Sequence, residues 1–211
     1  MKDIVIIGAG GLGKEVKFLI DEINSKKLTW NIVGFIDDNI KEGTIIHGIP
    51  VLGSTKWLQG KSINAVCAVG NSEARFKIYS SLELEDIGFP SIIHPQVGIS
   101  SSVKISEGVI IQSNVSITVD VFIGKFTLVS PSTTIGHDTT LSDFVTVLPG
   151  ANISGNVFIG EKVTIGTGSK IIQNIRVGNN SYLGAGAVVI CDIASNVVAV
   201  GVPAKDIKPL I

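Results

Sequence analysis

An apolar branched residue recurs at every sixth position of this 211-residue chain, from Ile99 through Ile105, Ile111, Ile117, Ile123, Val129, Ile135, Leu141, Val147, Ile153, Ile159, Ile165, Ile171, Val177 and Leu183 to Val189. Four residues after each stands a small or β-branched one, running Val103, Val109, Val115, Val121, Thr127, Thr133, Thr139, Val145, Ala151 and on to Ile193. A short fixed period means one structural unit stacked on copies of itself. Six is a whole multiple of the two-residue strand period, so a continuous strand would place positions one, three and five on one face. Position three is often polar or glycine, as at Ser113, Lys125, His137, Asp143, Glu161 and Asn179, and position two is glycine at 124, 136, 160, 166, 178 and 184. The chain must therefore bend once per hexad, with positions one and five pointing inward and each coil stacking on the next.

Residues 1–88 lack this period. Ile4 to Ile7 reads as a buried strand, followed by the turn Gly8-Ala-Gly10-Gly11-Leu12-Gly13. Lys14 to Asn24 reads as a helix with Val16, Leu19, Ile20 and Ile23 on one face. A second strand is predicted over Ile32–Ile36, ending at Asp37-Asp38, then a short helix capped by Ser54 and closed at Gly60. A third strand over Ala65–Val69 ends at Gly70-Asn71, and a last helix runs from about Ser72 to Asp86. Alternation of this kind predicts an open parallel sheet of about three strands, a small Rossmann-like α/β domain over 1–88 ahead of an all-β domain over 89–211.

The strand ends at Gly10 to Gly13, Asp37-Asp38 and Gly70-Asn71 should meet at one edge of the sheet, where open α/β folds take ligands. Glycines there let backbone N–H groups approach an anion at the positive end of the following helix. Three strands are half of a full dinucleotide fold, which argues for a nucleotide-linked small molecule rather than NAD. Asp37, Asp38 and Asn71 have no packing purpose that the sequence reveals.

The net charge of −1 gives no electrostatic case for nucleic acid or an anionic membrane surface. The start, MKDIVIIGAG, is too short an apolar run for a signal peptide, and no stretch reaches the length of a membrane span. Cys67 and Cys191 sit in apolar β-like segments without a CxxC pattern, which predicts two buried, reduced thiols and fits a cytoplasmic protein.

Of three histidines only His137 lies within the repeat; His47 and His94 are read as structural. His137 occupies the bend of Ile135-Gly136-His137-Asp138-Thr139. If three hexads make one coil, as the resemblance given below implies, its stacked neighbours are Val119 and Gly155. An imidazole beside an unobstructed backbone N–H is the layout that acyl transfer needs. Histidine titrates near neutrality and serves as a base for an attacking amine or hydroxyl. Asp138, or another carboxylate such as Asp143, would fix its tautomer, and the Gly155 N–H would stabilise the oxyanion.

The segments GAGGLG, GFIDD, AVGNSEAR, IIHP, IGHD, SDFVTVLPGA, SGNVFIG, LGAGAVV and GVPAK together resemble, over nearly the whole chain, the bacterial hexapeptide-repeat sugar acetyltransferases of the sialic-acid O-acetyltransferase type. The nearest of these in pattern N-acetylate UDP-linked 4-amino-4,6-dideoxy sugars or the GDP- or dTDP-linked equivalents. The resemblance implies a left-handed parallel β-helix of triangular section with three hexads per turn, an exception to the usual right-handed crossover. It also implies a homotrimer binding acetyl-CoA, without metal, in the groove between two prisms. In this sequence the general base and its acidic neighbour would be His137 and Asp138, and the oxyanion donor Gly155. Nucleotide-sugar contacts would be Gly10, Gly11, Leu12, Asp37, Asp38, Gly70 and Glu73, and the CoA positions Thr146, Gly155, Thr167, Ala185 and Lys205. Thr146 departs from the pattern, replacing a second histidine that many such proteins carry in the F-x-H-x-x-P-G segment. O-acetylation of a sugar, and a non-catalytic nucleotide-binding scaffold, are the alternatives. A hexapeptide-repeat zinc lyase would need three clustered histidines.

Overall fold

The computed structural model describes residues 1–82 and 86–209. They form two compact units, Met1–Pro95 and Gln96–Ile211. The first reaches past residue 88 because Ile92 is fully buried and the His94 Nε2 lies 3.1 Å from the carboxylate of Glu22. Among the described residues no helix is long and apolar enough to cross a membrane.

The first unit opens with β1 (Lys2–Ile7), whose Ile4, Val5, Ile6 and Ile7 are all buried, as in a strand covered on both faces. Helix α1 (Gly11–Lys26) starts earlier than its apolar stripe alone indicates, because Gly10 takes the cap position in extended conformation. Then follow β2 (Trp30–Ile36), β3 (Ile45–Ile46), β4 (Ile49–Gly53), a single 3₁₀ turn at Thr55–Leu58, β5 (Ile63–Cys67), α2 (Ser72–Ser81) and β6 (Ile87–Gly88). The sheet has six strands in the order β3-β4-β2-β1-β5-β6, not three. The additions are short: β3 and β4 form a hairpin across Gly48 (φ 78), and β6 adds two residues to the edge of β5. Helix α2 is shorter than expected. Leu82 already has extended dihedrals, and the expected continuation over 83–85 lies outside the described residues.

Strand β1 is central, paired in parallel with β2 on one side and β5 on the other. The chain thus changes direction across the sheet at β1, so that α1 and α2 begin at the switch point where such sheets leave a crevice. Two glycines allow it. Gly8 has φ 99, and a Cβ there would stand 2.7 Å from the Ala68 carbonyl oxygen; a Cβ on Gly13 would stand 2.0 Å from the Gly8 oxygen.

The second unit is a left-handed parallel β-helix with three faces of two-residue strands. From Lys104 to Val189 the strands pair at intervals of eighteen residues: Ser116↔Thr134↔Asn152↔Lys170↔Val188 on one face, Lys104↔Phe122↔Thr140↔Phe158↔Arg176 on the second, and Ile110↔Leu128↔Thr146↔Thr164↔Tyr182 on the third; the last step, Tyr182↔Val198, is sixteen, and Val197–Val200 then pairs antiparallel with Lys205–Pro209 as a final hairpin. The clock residues from Ile111 to Val189 are buried; Ile99, 38% exposed, and Ile105 are less covered, being at the open end of the stack.

Each bend is made by the fourth residue of the hexad. Every sixth residue from Gly108 to Gly186 is left-handed, with φ between 53° and 70°. Glycine, Asn and Asp suit that conformation, and they hold most of these corners. Phe126 and Phe144 do not suit it. Their rings are buried and stacked, 5.4 Å apart and 5° from parallel, and that packing offsets the backbone strain.

Candidate functional site

Within the second unit, the corner after Thr134–Ile135 carries His137 and Asp138. Asp138 has φ 56, and this left-handed turn brings its carboxylate back onto the neighbouring ring, with Oδ2 2.7 Å from His137 Nδ1. A carboxylate only accepts, so Nδ1 carries the proton and Nε2 presents a lone pair. Both side chains are exposed, 63% and 59%. The expected alternative, Asp143, is occupied elsewhere: its Oδ1 accepts from the Lys125 N–H at 2.7 Å.

One coil on, Gly155 lies against the imidazole. A Cβ built on Gly155 would stand 2.5 Å from His137 Nε2 and 2.7 Å from Cε1, so only glycine leaves the ring its place. Gly136 does the same from the other side, since its Cβ would fall 2.6 Å from the Gly155 nitrogen. The coil register is carried by Asn156 N–H donating to the His137 carbonyl at 2.7 Å, and by Asp138 N–H donating to Val119. The Gly155 N–H itself has no hydrogen-bond partner among the described residues.

The expected CoA positions fall into two groups. Thr167 and Ala185 are exposed and stacked in register at a different corner, joined by Gly186 N–H donating to the Thr167 carbonyl at 2.8 Å, with Lys205 exposed in the final antiparallel hairpin. That corner and the His137 corner flank one exposed face, along which Lys170 Nζ reaches Asn152 and Asn152 reaches Thr134. In a single chain the two groups therefore do not converge. Thr146 belongs to neither: it is 1% exposed, on the face whose outward residues Ile110 and Leu128 are also buried. Its side chain faces no open groove of the single chain.

Beside Asp138 lies a cleft of about 290 Å³ lined by Thr140, Asn156, Phe158, Asn174 and Arg176, with the Arg176 guanidinium 4.3 Å over the Phe158 ring. Sequence reasoning passed over this stack, although Phe158 and Arg176 are eighteen residues apart at outward positions.

In the first unit the strand ends do gather at one edge, but several residues there have structural work that the sequence did not reveal. Asp37 accepts from the Ala9 and Asn39 N–H groups at 2.9 Å each. Asp38 accepts from the Thr55 N–H and hydroxyl. Asn71 caps α2 by accepting from Ala74 N–H at 2.8 Å. Gly13 packs against Gly8, whereas Gly10 and Gly11 have nothing within 4 Å of a modest side chain, and Leu12 is half-buried. Glu73 is exposed and pairs loosely with Lys77 at 3.7 Å. Arg75 of AVGNSEAR has a structural role of the same kind. It is 1% exposed, and its Nη1 donates to the carbonyls of Val69 and Gly70 at 2.7 and 2.9 Å, holding the turn after β5.

Other groups are quieter. Cys67 is buried, but Cys191 is exposed, contrary to expectation, because it lies past the last clock position in the turn that leads out of the prism. His47 is an exposed turn residue with φ 48.

Two family models match separate parts of the chain. Residues 3–82 match the PglD N-terminal domain, and residues 156–191 the bacterial transferase hexapeptide (six repeats). The acetyltransferase domain of PglB from Neisseria gonorrhoeae, solved with acetyl coenzyme A, is 32% identical with a TM-score of 0.88, covering 98% of this chain and 99% of that one. PerB from Caulobacter crescentus, solved with CoA and GDP-perosamine, is 28% identical with a TM-score of 0.89, covering 99% and 98%. Structures of the Caulobacter crescentus perosamine N-acetyltransferase with one histidine replaced by asparagine or alanine hold the same two ligands. The UDP-N-acetylbacillosamine N-acetyltransferase of Bacillus subtilis is 31% identical over 125 residues, 54% of this chain and about half, 52%, of that protein's length.

Proposed function

The chain belongs to the hexapeptide-repeat acetyltransferase family with a PglD-type N-terminal domain, and we propose that it transfers the acetyl group of acetyl-CoA to the amine of a nucleotide-linked amino sugar. The observation that carries this reading is the His137 imidazole, held by Asp138 at Nδ1 and lying with Nε2 against Gly155.

In this reading His137 Nε2 takes a proton from the acceptor amine as its nitrogen attacks the thioester carbonyl. Asp138 keeps Nε2 free at the start and stabilises the imidazolium that forms. The Gly155 N–H donates to the tetrahedral oxyanion. As the carbon–sulfur bond breaks, the imidazolium returns its proton to the departing sulfur, and the N-acetyl sugar and CoA thiol are complete. Thr167, Ala185 and Lys205 suit an extended co-substrate: two small exposed residues in register, then a cation for a phosphate. Since they occupy a different corner from His137, the co-substrate would lie between two copies, which favours a homotrimer with three intersubunit sites. The nucleotide would rest at the strand ends by Gly10, Gly11, Asp37, Asp38, Gly70 and Asn71. The relatives' names favour an amine over a sugar hydroxyl as acceptor.

The test is release of CoA thiol from acetyl-CoA in the presence of UDP-, GDP- and dTDP-linked 4-amino-4,6-dideoxy sugars, with product mass read in parallel. Turnover of at least one, with acetyl on nitrogen, is expected. Turnover of none, or acetyl on oxygen, would exclude the reading.

A further inference from the structure

We propose that Thr139 is a positioning residue for acetyl transfer, one whose buried hydroxyl aims the Gly155 N–H. The inference rests on the reading of His137 and Gly155 given above. Thr139 is completely buried, and its Oγ1 donates to the Ser154 carbonyl at 3.1 Å. That carbonyl and the Gly155 N–H belong to one peptide unit, which is planar and trans, so its C=O and N–H point in opposite directions. A donor holding the oxygen from inside the prism fixes the N–H outward, onto the side where the His137 ring lies. Accepting a hydrogen bond at its oxygen also polarises the peptide and strengthens its N–H as a donor. The same hydroxyl accepts from Val157 N–H at 3.4 Å and so is itself oriented across the two coils.

The fold does not require a hydroxyl at this position. The residues one coil before and one coil after Thr139 in the same column are Val121 and Val157, each 1% exposed. Hydroxyls occur at the inward fifth position only in some hexads. Two of them make the same bond: Thr127 to the Ser142 carbonyl at 3.1 Å, and Ser169 to the Gly184 carbonyl at 2.9 Å, the peptide that carries the Ala185 N–H, with the Gly166 carbonyl a second acceptor at 2.8 Å. Ala185 N–H, like that of Gly155, has no partner among the described residues. Two peptides at the proposed reaction and co-substrate positions are thus held from within by a buried hydroxyl, while Gly136 beside the first has no side chain to cover its N–H.

The experiment compares Thr139→Val, Thr139→Ser and Thr139→Cys in steady-state transfer, with acetyl-CoA binding by calorimetry and thermal melting alongside. Thr139→Val should lower kcat about tenfold, a part of the loss seen when an oxyanion donor is deleted outright, with KM for both substrates and acetyl-CoA affinity within twofold of wild type. Thr139→Ser, which keeps the hydroxyl, should restore kcat to within about twofold. Thr139→Cys, close in volume but a weak donor, should behave as the valine variant, and it decides the matter if that variant does not fold. Wild-type kcat in Thr139→Val, or serine no better than valine, would overturn the proposal. If His137→Ala retains full activity, the underlying reading of the site fails instead, and the two failures are distinguishable.

Discussion

The imidazole of His137 occupies the space that a Cβ on Gly155 would need, with Nε2 2.5 Å from that position. Coil stacking at eighteen-residue intervals sets which residues meet, and the absence of a side chain at Gly155 lets the ring lie beside an N–H that has no partner among the described residues. The proposed base and the proposed oxyanion donor then share one corner, with Asp138 behind the ring at 2.7 Å.

Replacing His137 by alanine is expected to lower kcat by 10² to 10⁴, the usual worth of a positioned general base. The side chain is 63% exposed, so melting should stay within about a degree of wild type. Asp138→Asn keeps the corner conformation, which asparagine also favours, but removes the negative charge from Nδ1; kcat should fall less than in His137→Ala. Steady-state kinetics with a melting curve on each variant checks both, and a His137→Ala enzyme with near-native kcat would sink the assignment.

Gly155→Ala separates steric from chemical roles. Gly155 lacks a left-handed φ, so alanine meets no backbone strain, yet its methyl must displace the imidazole. Activity is expected to fall at least tenfold while the mass of the protein in solution stays unchanged. The ring and its new neighbour would be visible in a crystal structure as a rotated His137.

The prism was legible in the sequence because its core repeats on a fixed count, and that count places Gly155 and Val119 against His137. The first unit was less legible for a physical reason. The strands β3, β4 and β6 are short edge pieces that lie beside β2 and β5, and two or five residues are too few to show a period. The hydrogen bonds that Asp37, Asp38 and Asn71 make to backbone groups depend on where distant turns arrive, so the sequence assigned them no structural role. Thr139 appeared only as one β-branched core residue among many. Its contrast with Val121 and Val157 was in the sequence, but the peptide it holds was not.

Two glycines of the same turn should respond differently to alanine. Gly13→Ala puts a methyl 2.0 Å from the Gly8 oxygen and must push α1 off β1, at about 1–3 kcal/mol. Gly10→Ala and Gly11→Ala meet nothing within 4 Å and should leave stability within about 0.5 kcal/mol, while raising KM for the nucleotide sugar. Chemical denaturation and kinetics on the three variants check this, and equal destabilisation by all three would refute the division of roles.

The thiols give a pH signature in the first unit. Burial raises Cys67 from 9.0 to about 11, with Arg75 opposing, and burial lowers Arg75 to about 10. For Cys67 the folded pKa exceeds the unfolded one. Its contribution to stability is therefore complete below about pH 9 and lost as pH rises toward about 11. Arg75 has the opposite sign, because the unfolded chain holds its proton longer, and it acts only above about pH 10. The window from pH 9 to 10 isolates the cysteine. Melting temperature should fall across that window in the wild type and fall less in Cys67→Ala, measured by calorimetry at half-unit steps. At pH 8 an alkylating reagent should modify Cys191 within minutes and Cys67 only after unfolding, since Cys191 is exposed and Cys67 is 2% exposed. Fast modification of both thiols in the native protein would show that the strand β5 environment is open, and with it the turn that Arg75 holds.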